Sequence, residues 1–263
     1  MARVSAATHE VLSAVSRLPL HVVVELRSPD GRELFLLGET HLKTRRAAET
    51  CRQAVQAFSL RGVERLQRDQ VFAGRLLGAF LGTARGALQL LSRSRLAGST
   101  IEVALELPEG VTVELERSGR VPLGLHVGAA YLTLYMGLVL PALLLLPWWG
   151  AVPSLRPLRL TVKLLGLHLY ALPIAYVFRE HPWAAAIQPL LTILTVRDTL
   201  LADGIRLMLA THPAEPALVV VGRAHVRGVV ARLLEHGFRR AGSRQRNAHV
   251  QLSRGGPEAA PAN

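Results

Sequence analysis

The pattern of apolar and polar positions in the first half of the chain predicts strands that alternate with amphipathic helices. Two short apolar runs within residues 20–38, LHVVVELRSPDGRELFLLG, lie on either side of a Ser-Pro-Asp-Gly turn, which predicts a β-hairpin. Apolar or small residues then recur with helical spacing over 42–58, and a short strand, RGVERL, follows at 61–66. Glycine-containing helices are predicted within 70–98, then a helix at 101–107 followed by a turn and a strand.

The second half of the chain continues this alternation after an apolar interruption. A helix is predicted at 195–213, TVRDTLLADGIRLMLATHP, and a buried strand, ALVVVG, at 217–222. The next helix has one apolar side and ends near Gly237, the expected C-terminal cap, and a last strand, AHVQLS, lies at 248–253. The pattern therefore predicts an α/β fold with a central mixed β-sheet flanked by helices.

A strongly apolar region interrupts this α/β pattern. No Asp, Glu, Lys or Arg occurs from Leu125 to Leu155, and the central AAYLTLYMGLVLPALLLLPWW has the roughly 20 apolar residues needed to cross a bilayer. A second apolar run lies at 164–178, so we expect an inserted helical membrane hairpin in contact with membrane lipid. The alternatives are a buried helical pair or an apolar interface between two copies of the chain.

The expected organisation has four parts. Residues 1–126 form the N-terminal part of the globular domain, 127–180 the apolar helical hairpin, 181–254 the C-terminal part, and 255–263 a disordered tail. A hairpin returns the chain to the side of the membrane from which it entered, and the many arginines of the flanking parts favour the cytoplasmic side. We therefore expect a membrane protein whose globular part lies in the cytoplasm.

Net charge and cysteine content limit the kinds of partner and covalent cross-link that the chain can have. The net charge of +12 over 263 residues suits nucleic acid or anionic lipid. The sequence has no helix-turn-helix, zinc-finger pattern or basic strip interleaved with aromatic residues, so no nucleic-acid partner is expected. The single cysteine, Cys51, excludes an internal disulfide, and its place on the apolar stripe of a predicted helix favours core packing.

Two Gly-x-x-His motifs follow predicted strands, at Gly38–His41 and at Gly222–His225. In each, glycine permits a tight turn at the end of the strand and histidine begins an amphipathic helix. Open α/β sheets bind ligands at the carboxyl edge of their strands, so the two motifs would direct two imidazoles into one crevice, as half of a metal site. For each histidine alone, a capping or hydrogen-bonded structural role is the alternative.

Carboxylates are the expected complement of these histidines. Other classes of catalytic site have less support, because the sequence lacks a nucleophile elbow, a phosphate loop, a dinucleotide fingerprint and a zinc helix. Glu64 ends the strand GVERL, and Arg197-Asp198 begins a helix directly after an apolar run. Glu39 lies within the first motif, where a surface acid near a helix N-terminus is the simpler interpretation. A solvated face is expected for the remaining acids of the hairpin-like stretch: Glu102, Glu106, Glu114 and Glu116.

The ordered set of motifs resembles a known family. FLLGETHLKTRRAAE, GVERL, TVRDTLLADGI and LVVVGRAHVRGVVARLL together are similar to the TraB/PrgY family, which belongs with the Tiki, GumN and EreA/ChaN-like proteins. The resemblance covers most of 20–240 apart from the apolar insert, and the closing motif is its most specific part. The chain departs from the family in having Arg65 after the strand acid, and in having its candidate membrane helices inside the domain.

The resemblance implies an α/β fold with a shared pocket, and it supplies roles for individual residues. Tiki-like members are divalent-metal-dependent proteases for which manganese or cobalt has been proposed, and TraB/PrgY members are membrane proteins linked to the restriction of peptide-pheromone signalling. Position by position, His41 and His225 match the paired histidines, Glu64 the acid on the strand, and Arg197 and Asp198 the late Arg-Asp pair.

Two hypotheses follow. In the first, the protein is a membrane-associated metal-dependent hydrolase of peptides or another small substrate: His41, His225 and one or both of Glu64 and Asp198 hold the ion. A remaining carboxylate acts as general base, and Arg197 orients a carboxylate or stabilises the oxyanion. In the second, it is a non-catalytic TraB-like protein that sequesters a peptide or another apolar ligand at the membrane. The sequence leaves substrate, turnover and oligomeric state open.

Overall fold

The chain folds around a β-sheet that carries helices on both faces. A computed structural model describes residues 4–40, 43–65, 96–97, 99–116, 121–135, 137, 187–213 and 215–241, with scattered residues at 75–86 and 160–184. The strands are β1 (Val22–Arg27), β2 (Glu33–Glu39), β3 (Lys43–Thr44), β4 (Leu60–Val63), β5 (Leu96–Ala97), β6 (Val111–Glu114), β7 (Ala217–Gly222) and β8 (Arg239–Arg240). The helices are α1 (Ala6–Ser16), α2 (Arg45–Gln56), α3 (Thr100–Glu106), α4 (Leu123–Leu134), α5 (Leu190–Thr211) and α6 (Arg223–Glu235).

The main sheet is mixed and has six strands in the order β6-β4-β7-β2-β1-β8. Strands β6, β4, β7 and β2 run parallel, whereas β1 pairs antiparallel with both β2 and β8. Strands β3 and β5 form a separate antiparallel pair. This architecture confirms the predicted α/β class with a central mixed sheet flanked by helices.

The β1–β2 hairpin forms as the turn sequence predicts. Its register pairs Val22 with Gly38 and Arg27 with Glu33, and Gly31 has a φ of 86°, in the left-handed region that favours glycine. The side chain of Arg32 leaves this turn and donates hydrogen bonds to two carbonyl oxygens at the end of α5, those of Leu209 (2.5 Å) and His212 (2.8 Å). The turn is thereby attached to the opposite end of the chain.

Side chains of the central strands alternate between two apolar layers. On β7, Val219 and Val221 face the layer that contains α5 and α6, whereas Leu218 and Val220 face the layer that contains α1, α2 and α3. All six residues of β7 are buried, as its uninterrupted apolar run predicted. Burial of each such Val or Leu side chain contributes about 1.5–3 kcal/mol relative to exposure, so this strand anchors both layers.

Two helices differ from the sequence pattern. Helix α1 was not predicted, because it buries only Leu12 and Val15 and its other positions are too mixed to show a periodic apolar face. Helix α5 begins at Leu190, earlier than the predicted start at 195, because the apolar run before Arg197 is part of the helix. The predicted helices at 42–58 and 101–107 are confirmed as α2 and α3.

No helix among the described residues combines the length and the apolar character needed to cross a bilayer. The long helix α5 carries four charged residues, and α4 has 12 residues. The expected spanning insertion at 127–180 therefore has no support in the described part of the chain, and most of it lies outside that part. The predicted strand at 248–253 and the tail at 255–263 lie wholly outside the described residues.

Candidate functional site

The candidate site lies at the edge where the four parallel strands end. Strand β2 ends at Glu39, directly opposite Gly222 at the end of β7. Glu64 follows β4, and its backbone N–H donates to the carbonyl oxygen of Val220 at 3.0 Å. Glu116 follows β6 in the adjoining turn. Parallel strands thus bring acidic residues that are distant in sequence to one edge of the sheet.

Asp198 and His225 form the central contact of the site. Oδ1 of Asp198 lies 2.7 Å from Nδ1 of His225, and both residues are buried, at 3 % and 4 % exposure. Because a carboxylate only accepts hydrogen bonds, Nδ1 carries the proton and donates it, which leaves Nε2 as the nitrogen that faces the rest of the site. Nε2 lies 3.6 Å from Oε1 of Glu64, beyond hydrogen-bond distance.

Glycines allow this contact to form. A Cβ atom at residue 228 would overlap the carboxylate of Asp198, so Gly228 lets helices α5 and α6 approach closely. A Cβ atom at residue 38 would overlap the side chain of Val226, so Gly38 lets the first turn of α6 pack on the end of β2. In the register of β2 and β7, the motif glycines Gly38 and Gly222 pair with Val221 and Glu39 respectively, so both lie at the same edge of the sheet.

Arg197 joins two carboxylates from different strands. Its Nη2 donates to Oε1 of Glu64 at 2.6 Å, and its Nε and Nη2 donate to the two oxygens of Glu116 at 2.5 and 2.7 Å. Burial by itself would lower the pKa of Arg197, but the hydrogen bonds and charges of Glu116 and Glu64 raise it above its ordinary value. The guanidinium therefore stays charged and fixes both carboxylates with charge-assisted bonds.

Glu64 is held from two sides. Arg197 binds one of its oxygens, and the backbone N–H of Gly222 donates to the other. The carboxylate is buried and directed to the side of the sheet that carries α5 and α6, toward His225. The acid of GVERL therefore lies beside the histidine of the second Gly-x-x-His motif.

The buried charges of the site are predominantly negative. Three carboxylates, of Glu64, Glu116 and Asp198, face one guanidinium, of Arg197, so with a neutral His225 the formal charge of these five groups is −2. An excess of buried negative charge is costly unless a cation compensates for it. The five groups together therefore favour the binding of a cation over that of an anion.

Two donor atoms of the site have the spacing of two ligands of one divalent ion. Two ligands about 2.1 Å from one tetrahedral ion are separated by about 3.4 Å, and Nε2 of His225 and Oε1 of Glu64 are 3.6 Å apart. Asp198 binds the remote nitrogen of the same imidazole, as carboxylates behind metal-bound histidines commonly do. His41, the other histidine of the predicted set, lies outside the described residues.

One acid of the site was missed by the sequence pattern. Glu116 was expected on a solvated face, but it is only 4 % exposed and is bound by Arg197, so that expectation was wrong. The cause is the close packing of α5 on the turn after β6, where a Cβ atom at residue 204 would overlap the carbonyl oxygen of Leu115. The glycine in TVRDTLLADG was the signal for this contact. The solvated interpretation holds for Glu102 and Glu106, which are exposed.

Known proteins add no assignment to this site. Comparison of the chain with protein-family models, with curated proteins and with solved structures finds no match in any of the three. The resemblance to the TraB/PrgY family stays a prediction that rests on the motifs of the sequence.

Proposed function

We propose that the chain is a divalent-metal-dependent hydrolase of the TraB/Tiki type that acts on peptides. The observation that carries this proposal is the arrangement of Asp198, His225 and Glu64. Asp198 is hydrogen-bonded to Nδ1 of the imidazole, and Nε2 on its other side is separated from Glu64 by the distance between two ligands of one ion. The excess negative charge of the surrounding buried groups supports the same proposal.

Each described residue of the site has one role in this proposal. Nε2 of His225 and the carboxylate of Glu64 hold the ion, with His41 as the further ligand that the resemblance implies. When bound, a divalent ion, manganese or cobalt by the same resemblance, polarises a scissile carbonyl and lowers the pKa of water. Asp198, named by the sequence as a candidate ligand, instead keeps the Nδ1 proton in place and so directs the Nε2 lone pair to the ion.

Positioning roles follow from the same contacts. Glu116 has both oxygens on Arg197, and Asp198 is turned to His225, so neither is placed to act as the general base expected of a remaining carboxylate. Arg197 is bound to Glu116 and Glu64, which makes it a positioning residue for Glu64.

Metal analysis of purified protein tests the proposal. We expect one divalent ion to be lost from His225→Gln, and its affinity to fall about 10–100-fold in Asp198→Asn. His236→Gln is the matched control, since His236 is an exposed histidine at the far end of the same helix. Peptide hydrolysis should fall with metal content in the first two variants and stay unchanged in the control. A folded His225→Gln protein with full metal content and full activity would disprove the mechanism.

A non-catalytic binding protein is the second candidate, and one observation favours it. Both oxygens of Glu64 already have partners, in Arg197 and the N–H of Gly222, so the cluster also satisfies itself as a structural network. In that case the wild-type protein binds a peptide without cleaving it, and Glu64→Gln leaves peptide affinity unchanged. Mass spectrometry of peptide mixtures after incubation distinguishes cleavage from binding.

The apolar segment is proposed to attach the protein to membrane lipid, with the globular part in the cytoplasm. Helix α4, which begins just before this segment and leads into it, exposes Leu123, Val127 and Leu134, at 77 %, 47 % and 51 %. Exposed apolar side chains grouped on one helix are typical of a surface that another apolar phase covers. Flotation with lipid vesicles tests this, with Leu123→Glu and Val127→Glu expected to reduce the bound fraction.

A further inference from the structure

A second buried cluster lies at the same sheet edge but on the opposite face. Side chains alternate along β2, so Glu39 follows Phe35 and Leu37 into the layer formed by α1, α2 and α3. Glu64, two strands away, projects into the other layer, toward His225 on α6. The two acids flank the end of β7 and are separated by the sheet itself.

Three potential ligands converge around Glu39. One imidazole nitrogen of His21, one carboxylate oxygen of Glu39 and Sγ of Cys51 all lie within 4.8 Å of one another. The three residues are exposed by only 7 %, 1 % and 0 %. They come from three separate elements, namely the residue before β1, the end of β2 and the middle of α2.

The imidazole of His21 is oriented so that its Nε2 atom can bind a metal ion or accept a hydrogen bond. Its Nδ1 lies 2.9 Å from the carbonyl oxygen of Pro19, and because a carbonyl only accepts, Nδ1 carries the proton. Nε2 therefore presents a lone pair, and in the described part of the chain this buried atom has no hydrogen-bond partner. A buried polar atom without a partner is costly and calls for a ligand. A fixed Nδ1–H with a free Nε2 is the state in which histidine binds metals.

The carboxylate of Glu39 is oriented by the start of α3. Its Oε1 accepts hydrogen bonds from Oγ of Ser99 at 2.6 Å and from the backbone N–H of Thr100 at 2.9 Å. The expectation that Glu39 is a surface acid was therefore wrong, because its side chain is buried and bound by Ser99 and Thr100. Cys51, expected and found in the core, supplies the soft donor of the group.

We propose that His21, Glu39 and Cys51 form a second divalent-metal site, suited to zinc or an ion of similar preference. A thiolate, an imidazole nitrogen and a carboxylate oxygen are the three kinds of ligand that zinc accepts. Neutral His21 with ionised Glu39 and Cys51 carries two negative charges, which balance a divalent cation. Binding releases the thiol proton of Cys51 to solvent. The site joins β1, β2 and α2, and it does not rest on the hydrolase proposal.

Cobalt titration of the full-length, chelator-treated protein tests this site, because cobalt bound to a thiolate gives a strong charge-transfer absorption in the near ultraviolet. The chain has one cysteine, so this absorption reports Cys51 alone. We expect the band in the wild-type protein, its loss in Cys51→Ser, and competition by added zinc. His21→Gln and Glu39→Gln should each weaken cobalt binding at least tenfold, with folding checked by circular dichroism.

Variants of the other site separate the two proposals. His225→Gln removes the proposed ligand on the opposite face and should leave the thiolate band unchanged. Glu39→Gln preserves an acceptor oxygen for Ser99 and Thr100, so it tests ligation even if His21→Gln does not fold. Absence of the band from folded wild-type protein at millimolar cobalt overturns the second site. An unchanged affinity in folded Glu39→Gln and His21→Gln overturns it as well.

Discussion

Gly228 lies against the carboxylate of Asp198, with no room for a Cβ atom between helices α5 and α6. The same carboxylate binds His225, three residues before Gly228 on α6. Both glycines of the closing motif GRAHVRG therefore contribute to the site. Gly222 donates its N–H to Glu64, and Gly228 leaves space for Asp198, which orients His225.

Substitution Gly228→Ala should therefore disturb both stability and the site. We expect the free energy of unfolding to fall by about 1–3 kcal/mol, because the new methyl group overpacks the contact. Urea denaturation measures this change, and metal affinity should fall with it. Gly82→Ala is the control, since a Cβ atom there meets nothing within 4 Å. Equal stability of the two variants would contradict the close approach of the helices.

Arg197→Lys tests the forked contacts of the guanidinium. Lysine keeps the charge but cannot bind both oxygens of Glu116 together with Glu64. We expect a loss of about 1–3 kcal/mol in unfolding free energy, because buried carboxylate oxygens lose their donors.

Arg206→Lys on the same helix is the matched control for this change. Its ion pair with Asp203 is about half exposed on both sides, so we expect an effect below about 0.5 kcal/mol. If the two lysine variants unfold at the same urea concentration, the buried network does not stabilise the fold.

Gly38→Ala should push the first turn of α6 away from β2, since the added methyl group overlaps Val226. We expect destabilisation of about 1–3 kcal/mol. The double variant Gly38→Ala, Val226→Ala restores the space, and part of the lost stability should return. A double-mutant cycle measures this coupling, and strictly additive effects would argue against the contact.

Asp30 in the hairpin turn gives a pH-dependent prediction. The hydrogen bond from Ser28 holds the pKa of Asp30 below its ordinary value, burial opposes this, and Arg32 lowers it further. A carboxyl with a lowered pKa stabilises the fold at pH values above its unfolded pKa, and that contribution disappears as the pH falls through the folded pKa. Asp30→Asn should therefore be less stable than wild type at pH 7, with the difference vanishing below the ordinary value of 3.8. A difference that persists at lower pH would contradict this assignment.

Periodicity predicted the strands that build the site, because their signals are local. The hairpin turn, the apolar run of β7 and the helix after it each follow from neighbouring residues. The position of Glu64 beside the second motif followed instead from a general rule of topology, that parallel strands end at one edge of the sheet.

Burial of the remaining acids depended on contacts between distant segments. Glu116 is buried because α5 packs over its turn, and Glu39 because α3 begins above it. The alternation of side chains along β2 could have predicted the burial of Glu39, since Glu39 lies on the same face of the strand as the apolar residues Phe35 and Leu37. His21 gave no signal, because its proposed partners Glu39 and Cys51 come from other parts of the fold.

The pairing of β2 with β7 has a consequence for how the protein is made. These neighbours at the centre of the sheet come from opposite ends of the chain, and the Arg32 contact with α5 spans 177 residues. Contacts of such long range slow folding, because the loop between them must close first. During synthesis, both edges of the β1–β2 hairpin therefore stay open until the ribosome has delivered β7 and β8. Until then the hairpin depends on helices α1 and α2, or on a chaperone, to keep those edges from pairing with another chain.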